Sequence, residues 1–432
     1  MNPPTPADLI AQVEDARART LTLIEGLDDA QLMGPRLSIV NPLRWEIGHA
    51  AYFHEHWVLR QHLGEPPGRP DVDRLYDSIT IAHDDRWDLP LPTLPETLAY
   101  MRGVLERECE HLAADPPDAR RDYLVQYAVF HEDMHTEAFT YTRQTLGYPP
   151  PAIGAAPDPA WQAGRLAGDA EVPGGVFRLG ARAGDGFCFD NEKWAHPVEV
   201  APFRIARAAV SNAEYAAFVE DGGYRRRELW GDEGWGWRAG AGLVHPVYWR
   251  RGTTGWELRR FDRWEPLAPH AAVIHVSWHE ARAFCRWADR RLPTEIEWEV
   301  AAAGEPAAEG HALAPRKRRY PWGDTPPTPA RANLDGGALG TLDVGALPAG
   351  DSAFGCRQMI GNVWEWTDTV FGPYPGFTPD MYRDYSQPLF GTTRVLRGGC
   401  WATRGRLIRN TWRNYYGPER NDVFAGFRTC AR

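Results

Sequence analysis

Three histidines carry the chemistry of this chain. Inside a long segment with helical periodicity stand His131-Glu132-Asp133-Met134-His135. An i, i+4 pair stacks two imidazoles on one helical face, about one turn apart, close enough to share a metal ion. A third imidazole, His49, lies in the otherwise apolar run Trp45-Glu46-Ile47-Gly48-His49-Ala50-Ala51-Tyr52-Phe53, where small neighbours leave room for a ligand. His56 shares the face of His49 but would lie roughly 10 Å further along the axis, too far to bind the same ion. His54 falls on another face and is expected to be exposed.

Three neutral imidazoles leave a divalent ion its full charge and, if it is six-coordinate, three open positions. Such a site can hold two substrate atoms together with O2, the requirement of an iron oxygenase. Zinc also accepts three histidines and a water, and a pair of satisfied surface histidines is the plain alternative. The pentapeptide fits the H-E-x-x-H zinc-peptidase pattern, with Glu132 as general base. However, Thr-Glu-Ala-Phe-Thr-Tyr follows His135, and no glutamate stands between Glu137 and Glu171 to act as a downstream ligand.

Four segments in the first 150 residues place apolar side chains at three- and four-residue spacing and predict a four-helix bundle. Thr93 with Glu96 caps the third, and Gly147 closes the fourth ahead of Pro149-Pro150-Pro151. Residues 151–170, rich in Pro, Gly and Ala, read as a linker. The remainder, 171–432, has short strand-like runs, many Gly and Trp, and two clear helices, at 212–220 and 278–289. It reads as a loop-rich α+β domain.

At 432 residues, two domains are expected. The 48 Lys+Arg against 58 Asp+Glu give a formal charge of −10, which offers no broad basic surface to nucleic acid or an anionic membrane. The one basic run, Arg316-Lys317-Arg318-Arg319, is expected on a solvated loop. No stretch approaches a membrane span and the start lacks the order of a signal peptide, so a cytoplasmic location is expected. The six cysteines, without C-x-x-C spacing, read as reduced thiols.

The second half carries Gly174-Gly175-Val176-Phe177-Arg178-Leu179-Gly180, His275-Val276-Ser277-Trp278, Arg291-Leu292-Pro293-Thr294-Glu295, Gly361-Asn362-Val363-Trp364-Glu365-Trp366, Arg397-Gly398-Gly399-Cys400-Trp401 and Gly426-Phe427-Arg428. In that order the motifs resemble the formylglycine-generating-enzyme-like domain, a C-type-lectin-like fold. The first half resembles a DinB-like bundle whose matched histidines are His49, His131 and His135. The segment from Thr403 to Thr429 lacks the cysteine pair with which formylglycine-generating enzymes hold copper. The fusion is similar to the nonheme iron synthases of ergothioneine, ovothiol and selenoneine biosynthesis.

That resemblance implies Fe(II) on the three histidines, O2 as co-substrate, and a bond formed between C2 of the hercynine imidazole and the sulfur or selenium of a second substrate. Ergothioneine-type enzymes resemble H-E-Q-Q-H at the helical pair, where a glutamine can hydrogen-bond the substrate imidazole; Met134 stands at that substrate-contact position here. The segment His83-Asp84-Asp85-Arg86-Trp87-Asp88-Leu89-Pro90 is similar to the selenoneine branch, whose partner would be a selenosugar rather than cysteine or γ-glutamylcysteine. His83, Asp85 and Arg86 are candidate contacts for that partner, or else a charged surface connection. Asn414 and Tyr415 match a late motif that contacts hercynine, and Tyr382 or Tyr374 would supply a phenolic O–H near the iron. Asn362 and Glu365 suit either a calcium ion or packing. The remaining classes are a zinc-dependent DinB-type thiol transferase and a non-catalytic lectin-like binding module.

Overall fold

Helix ends in the first part of the chain are set by side chains that satisfy otherwise orphaned backbone groups. A computed structural model describes residues 4–155 and 158–432 and separates into two units, Met1–Ile153 and Gly154–Arg432. In the first, α1 (Pro6–Ile24) opens with a capping box between Thr5 and Asp8. It is followed by the short α2 (Asp29–Met33), by α3 (Leu43–His54) running into a π-helical turn at Glu55–Arg60, and by the short α4 (Val72–Tyr76). The expected Thr93–Glu96 capping box starts α5 (Leu94–Ala114). Finally α6 (Ala119–Leu146) ends at Gly147 with φ 67°, the left-handed conformation that glycine adopts without penalty.

The long helices form a bundle in which α1 and α3 each pack against both α5 and α6. Every residue of α3 from Trp45 to His54 is buried, so this helix has no solvent face. That overturns the expected exposure of His54, which was inferred from a single buried stripe. The room inferred beside His49 is also filled. A Cβ on Gly48 would lie 2.2 Å from Tyr76 Cε1, so glycine lets the Tyr76 ring cross the helix there.

Behind the histidine pair the four long helices meet in a buried charged cluster. Glu132 of α6 accepts hydrogen bonds from Arg17 Nε (3.0 Å), Arg17 Nη2 (3.2 Å) and Thr20 Oγ1 (2.7 Å), all from α1. His54 of α3 places Nε2 3.2 Å from Glu132 and Nδ1 2.8 Å from Glu108 of α5. Burial alone would lower the His54 pKa, but the two carboxylates carry it up to about 9. Glu132, despite burial that opposes its charge, is held well below the usual carboxylate range by Arg17 and His54. A carboxylate so engaged is no general base, which removes the peptidase reading on physical grounds.

In the second unit a four-stranded sheet sets Asp169–Val172 against Phe203–Ala206, then Cys430–Ala431, then Arg290–Arg291. Another joins Arg413–Tyr416, Arg394–Arg397, Trp364–Val370 and Ala425–Gly426. The two expected helices are α7 (Asn212–Glu220) and α9 (Trp278–Trp287). Two further helices, α8 (Asp232–Gly240) and α10 (Glu295–Ala303), carry weaker sequence signals. Three glycines mask α8, and α10 is short and buried along its C-terminal half.

Ala156 and Pro157 of the expected linker lie outside the described residues. The rest of that stretch is tied into the second unit: Gly164 N donates to Asp343 (2.8 Å), and Trp161 packs on Leu342 and Leu347. The basic run is not uniformly solvated. Lys317 is buried, with Nζ 2.5 Å from Glu299 and 2.6 Å from the Gly180 carbonyl. All six cysteines are free thiols. Asn362 Oδ1 accepts from Asn333 and Leu342 N, and Glu365 is taken by Arg428 and Trp298, so both serve packing and leave no oxygen ligands for calcium. No described helix is long and apolar enough to cross a membrane.

Replacing Arg17 with methionine strands the Glu132 charge in the bundle core, which should cost about 3–5 kcal/mol. Denaturant unfolding followed by circular dichroism measures this, with the exposed Glu14→Gln expected to stay within about 0.5 kcal/mol of wild type.

Candidate metal centre

His49 from α3 and His131 and His135 from α6 converge so that one nitrogen of each lies within 4.8 Å of the others. The ring centroids are 5.1 Å (His49–His131), 5.0 Å (His49–His135) and 4.5 Å (His131–His135) apart, with interplanar angles of 66°, 76° and 66°. Edges facing inward at such angles form a tripod for one ion.

Hydrogen bonds fix which nitrogen each ring offers. His49 Nδ1 is 2.7 Å from the Tyr76 carbonyl, which can only accept, so Nδ1 carries the proton and Nε2 keeps its lone pair. His135 Nδ1 is 2.6 Å from Glu46 Oε1 and is likewise the donor. His135 Nε2 lies 3.3 Å from His131 Nε2. Two lone pairs at that distance repel unless a proton or a cation lies between them. The donor set therefore fits a metal ion, with a carbonyl and a carboxylate behind two ligands as metal-bound histidines ordinarily have.

Electrostatics keep the rings in the ligating form. Burial first, and then the neighbouring His135, push the pKa values of His49 and His131 well below the ordinary imidazole range. Aromatic contacts hold the rings in place. Trp45 stacks on His49 at 4.7 Å with 9° between planes, and Phe53 stacks on His131 at 3.8 Å and 13°. Arg86 caps this stack, its guanidinium carbon 4.1 Å from the Trp45 ring centroid, and donates to Asn41 at 2.6 Å.

The other candidates fall into separate places. His56 hydrogen-bonds Tyr52 and stands outside the triad. His83 is 2.8 Å from the Val40 carbonyl and pins a short 3-10 turn, His83–Trp87, near the start of α3; Asp85 of that turn is exposed. Met134 is half-buried on α6, next to His135.

In the second unit Tyr374 is enclosed in the core. Its ring lies under the Arg413 guanidinium (4.1 Å), its hydroxyl is 3.5 Å from Glu295, and burial pushes its pKa up. That surrounding disfavours it as a proton donor to an external substrate. Tyr382 is half-buried at the head of a 3-10 turn, Arg383–Tyr385. Tyr415 stacks on Phe371 (4.0 Å) with its hydroxyl against the Tyr385 carbonyl, and Asn414 Oδ1 accepts from Tyr415 N (2.8 Å).

Glu46 was not singled out from the sequence. An acid three residues before His49, in a helix otherwise apolar, was the available signal.

Comparison with known proteins gives two family matches: residues 156–432 fit the sulfatase-modifying factor enzyme 1-like domain, and residues 12–139 fit the DinB superfamily. Over nearly its full length the chain is similar to proteins named hercynine oxygenase. The one from Mycolicibacterium thermoresistibile is 41% identical, with 98% of this chain and 95% of that protein covered. The one from Mycobacterium tuberculosis is 40% identical, with 98% of each covered. Among solved structures, PvdO from Pseudomonas aeruginosa aligns with 60% of this chain and 92% of its own at 21% identity and a TM-score of 0.42.

Changing Glu46 to glutamine keeps its shape but weakens the acceptor behind His135. Affinity for Fe(II), or for Co(II) as a spectroscopic substitute, should fall about 10- to 100-fold in anaerobic equilibrium dialysis, while His131→Ala should abolish stoichiometric binding.

Proposed function

The chain belongs to the hercynine oxygenase family, and from that premise we propose that it catalyses an O2-dependent coupling at C2 of hercynine, using Fe(II) held by His49, His131 and His135. The observation that carries this reading is the all-imidazole donor set. With no carboxylate among the ligands, an ion there keeps its double positive charge, and three protein ligands leave positions open. When bound, iron would supply the redox centre at which O2 and the chalcogen substrate are activated.

The protein's own residues bind, orient and protonate. Tyr76 and Glu46 hold the protons of His49 and His135 away from the ion-facing nitrogens. Trp45 and Phe53 shield two rings from water. We assign Asn414 and Tyr415 to the polar ends of hercynine and Tyr382 to proton donation. Arg86, His83 and Asp85 are assigned to the second substrate.

For that substrate we favour a selenosugar over cysteine or γ-glutamylcysteine. Met134 offers no hydrogen-bond donor where the thiol-using branch carries a glutamine, and the His83–Pro90 segment resembles that of the selenoneine branch. Joining C2 to selenium removes one C–H and one Se–H hydrogen, a two-electron oxidation; O2 takes two further electrons in delivering one oxygen atom to selenium, and its other oxygen leaves with the two hydrogens as water.

The reading is tested by supplying anaerobically purified protein with Fe(II) and hercynine, then O2 with a selenosugar, cysteine or γ-glutamylcysteine in parallel. Mass spectrometry should find a hercynine–selenium adduct as the main product, with product formation lost in His131→Ala. A thiol adduct alone reverses the choice of partner; no adduct in any arm overturns the function.

A further inference from the structure

The second unit contains a cavity of about 200 Å³ between the start of α8 and the exposed side of α9. It is smaller than the roughly 300–1,000 Å³ usual for organic ligands, yet holds several times the ~30 Å³ that a water occupies in the liquid. Its lining is cationic. Arg282 and Arg286 project from successive turns of α9, and Arg394 comes from the adjoining strand Arg394–Arg397.

Arg282 and Arg394 both lie on the Trp278 ring, at 4.6 and 4.0 Å, which fixes their stems while leaving N–H groups to donate. Their anionic partners are few. Asp368 stands 3.7 Å from Arg282, beyond a short ion pair, and Asp232 is taken by Arg227. Glu233 is the remaining lining carboxylate.

Two independent features point to a ligand. The first turn of α8 lines the cavity, and Gly231 at its N-cap provides no side-chain cap for the backbone amides there. His279 also lines it. Only 6% of that residue's surface is exposed, yet among the described residues neither ring nitrogen has a hydrogen-bond partner. Burial pushes its pKa down to about 4, so at neutral pH it is an uncharged ring with one N–H to give. With no protein acceptor for it among the described residues, that N–H is left to whatever occupies the cavity.

We propose that this cavity is a binding site for a small oxyanion, cradled by Arg282, Arg286 and Arg394, the amides at the start of α8, and His279. The site is built wholly within the second unit and shares no residue with the three-histidine centre, so it stands whether or not the proposed reaction is correct. The shared ligand chemistry is that of phosphate, sulfate or a carboxylate.

The experiment is calorimetric titration of the full chain, at low and constant ionic strength, with inorganic phosphate, sulfate and acetate in separate arms and chloride as the control. At least one oxyanion should bind saturably and at unit stoichiometry, and the tightest arm identifies the class. Arg282→Gln and Arg394→Gln, each at a partly exposed side chain, should weaken that binding at least 10-fold, whereas Glu233→Gln should tighten it. The last change improves binding only in a folded protein, which separates a lost site from a lost fold. No saturable binding in any arm, or binding unaltered by all three substitutions, overturns the proposal.

Discussion

The bundle depends on a buried charge cluster centred on one carboxylate, which α1 and α3 reach directly and α5 reaches through His54. Glu132 is ionised in the core and must be matched from every side; Arg17 and Thr20 on α1 and His54 on α3 do this, and Glu108 on α5 completes the pairing of His54. An apolar core tolerates a helix rotated by a few tens of degrees, because hydrophobic contacts are non-directional. A buried ion cluster does not. Glu132 can meet its partners at only one rotation of α6, and that rotation turns His131 and His135, its neighbours on either side in the helix, toward His49. Registry, rather than net stability, is the reasonable return on so costly an arrangement.

The same logic orders the metal-binding rings. Their mutual repulsion would drive them apart if only packing held them, so each of two rings donates its far nitrogen to a fixed acceptor. For His49 that acceptor is a backbone carbonyl, brought in range because Gly48 lacks a side chain and the Tyr76 ring can lie across it. The distance from sequence to ligand geometry is thus short: one missing methyl group positions one carbonyl, which selects one tautomer.

This explains what was and was not legible beforehand. The histidine triad was visible because i, i+4 spacing and a lone imidazole in an apolar run are unusual in themselves. The Tyr76 carbonyl was invisible because a backbone group leaves no mark in a sequence. His54 was placed wrongly because helical periodicity assumes one wet face, and α3 has none. Tyr374, offered beside Tyr382 as a phenolic donor, sits in a loop, and its partners Glu295 and Arg413, distant in sequence, close over it. Lys317 was read as part of a charge run, whereas Arg316 stays exposed, Arg318 and Arg319 are half-buried, and Lys317 turns inward to Glu299. For His54 and Lys317 a tertiary partner distant in sequence overrode a local pattern.

The second unit meets the problem of a loop-rich core in a related way. Its strands are short, and many carbonyls lie outside any ladder. Buried arginines act as posts that satisfy them while pairing with acids. Arg413 joins Glu295 at 2.9 Å through two nitrogens and also donates to the carbonyls of Asn191 and Gly372. Arg397 joins Glu299 and the Asn410 carbonyl, and Arg428 joins Glu365 and the Arg357 carbonyl. Arg413 begins the strand that holds Asn414 and Tyr415, and side chains alternate across a strand. Locking Arg413 inward therefore turns Asn414 to the opposite face and sets its register against Leu396. In each unit one assigned side chain, His131 beside Glu132 and Asn414 beside Arg413, follows or precedes a buried ion pair in sequence, so its direction follows from where a neighbouring charge had to be neutralised.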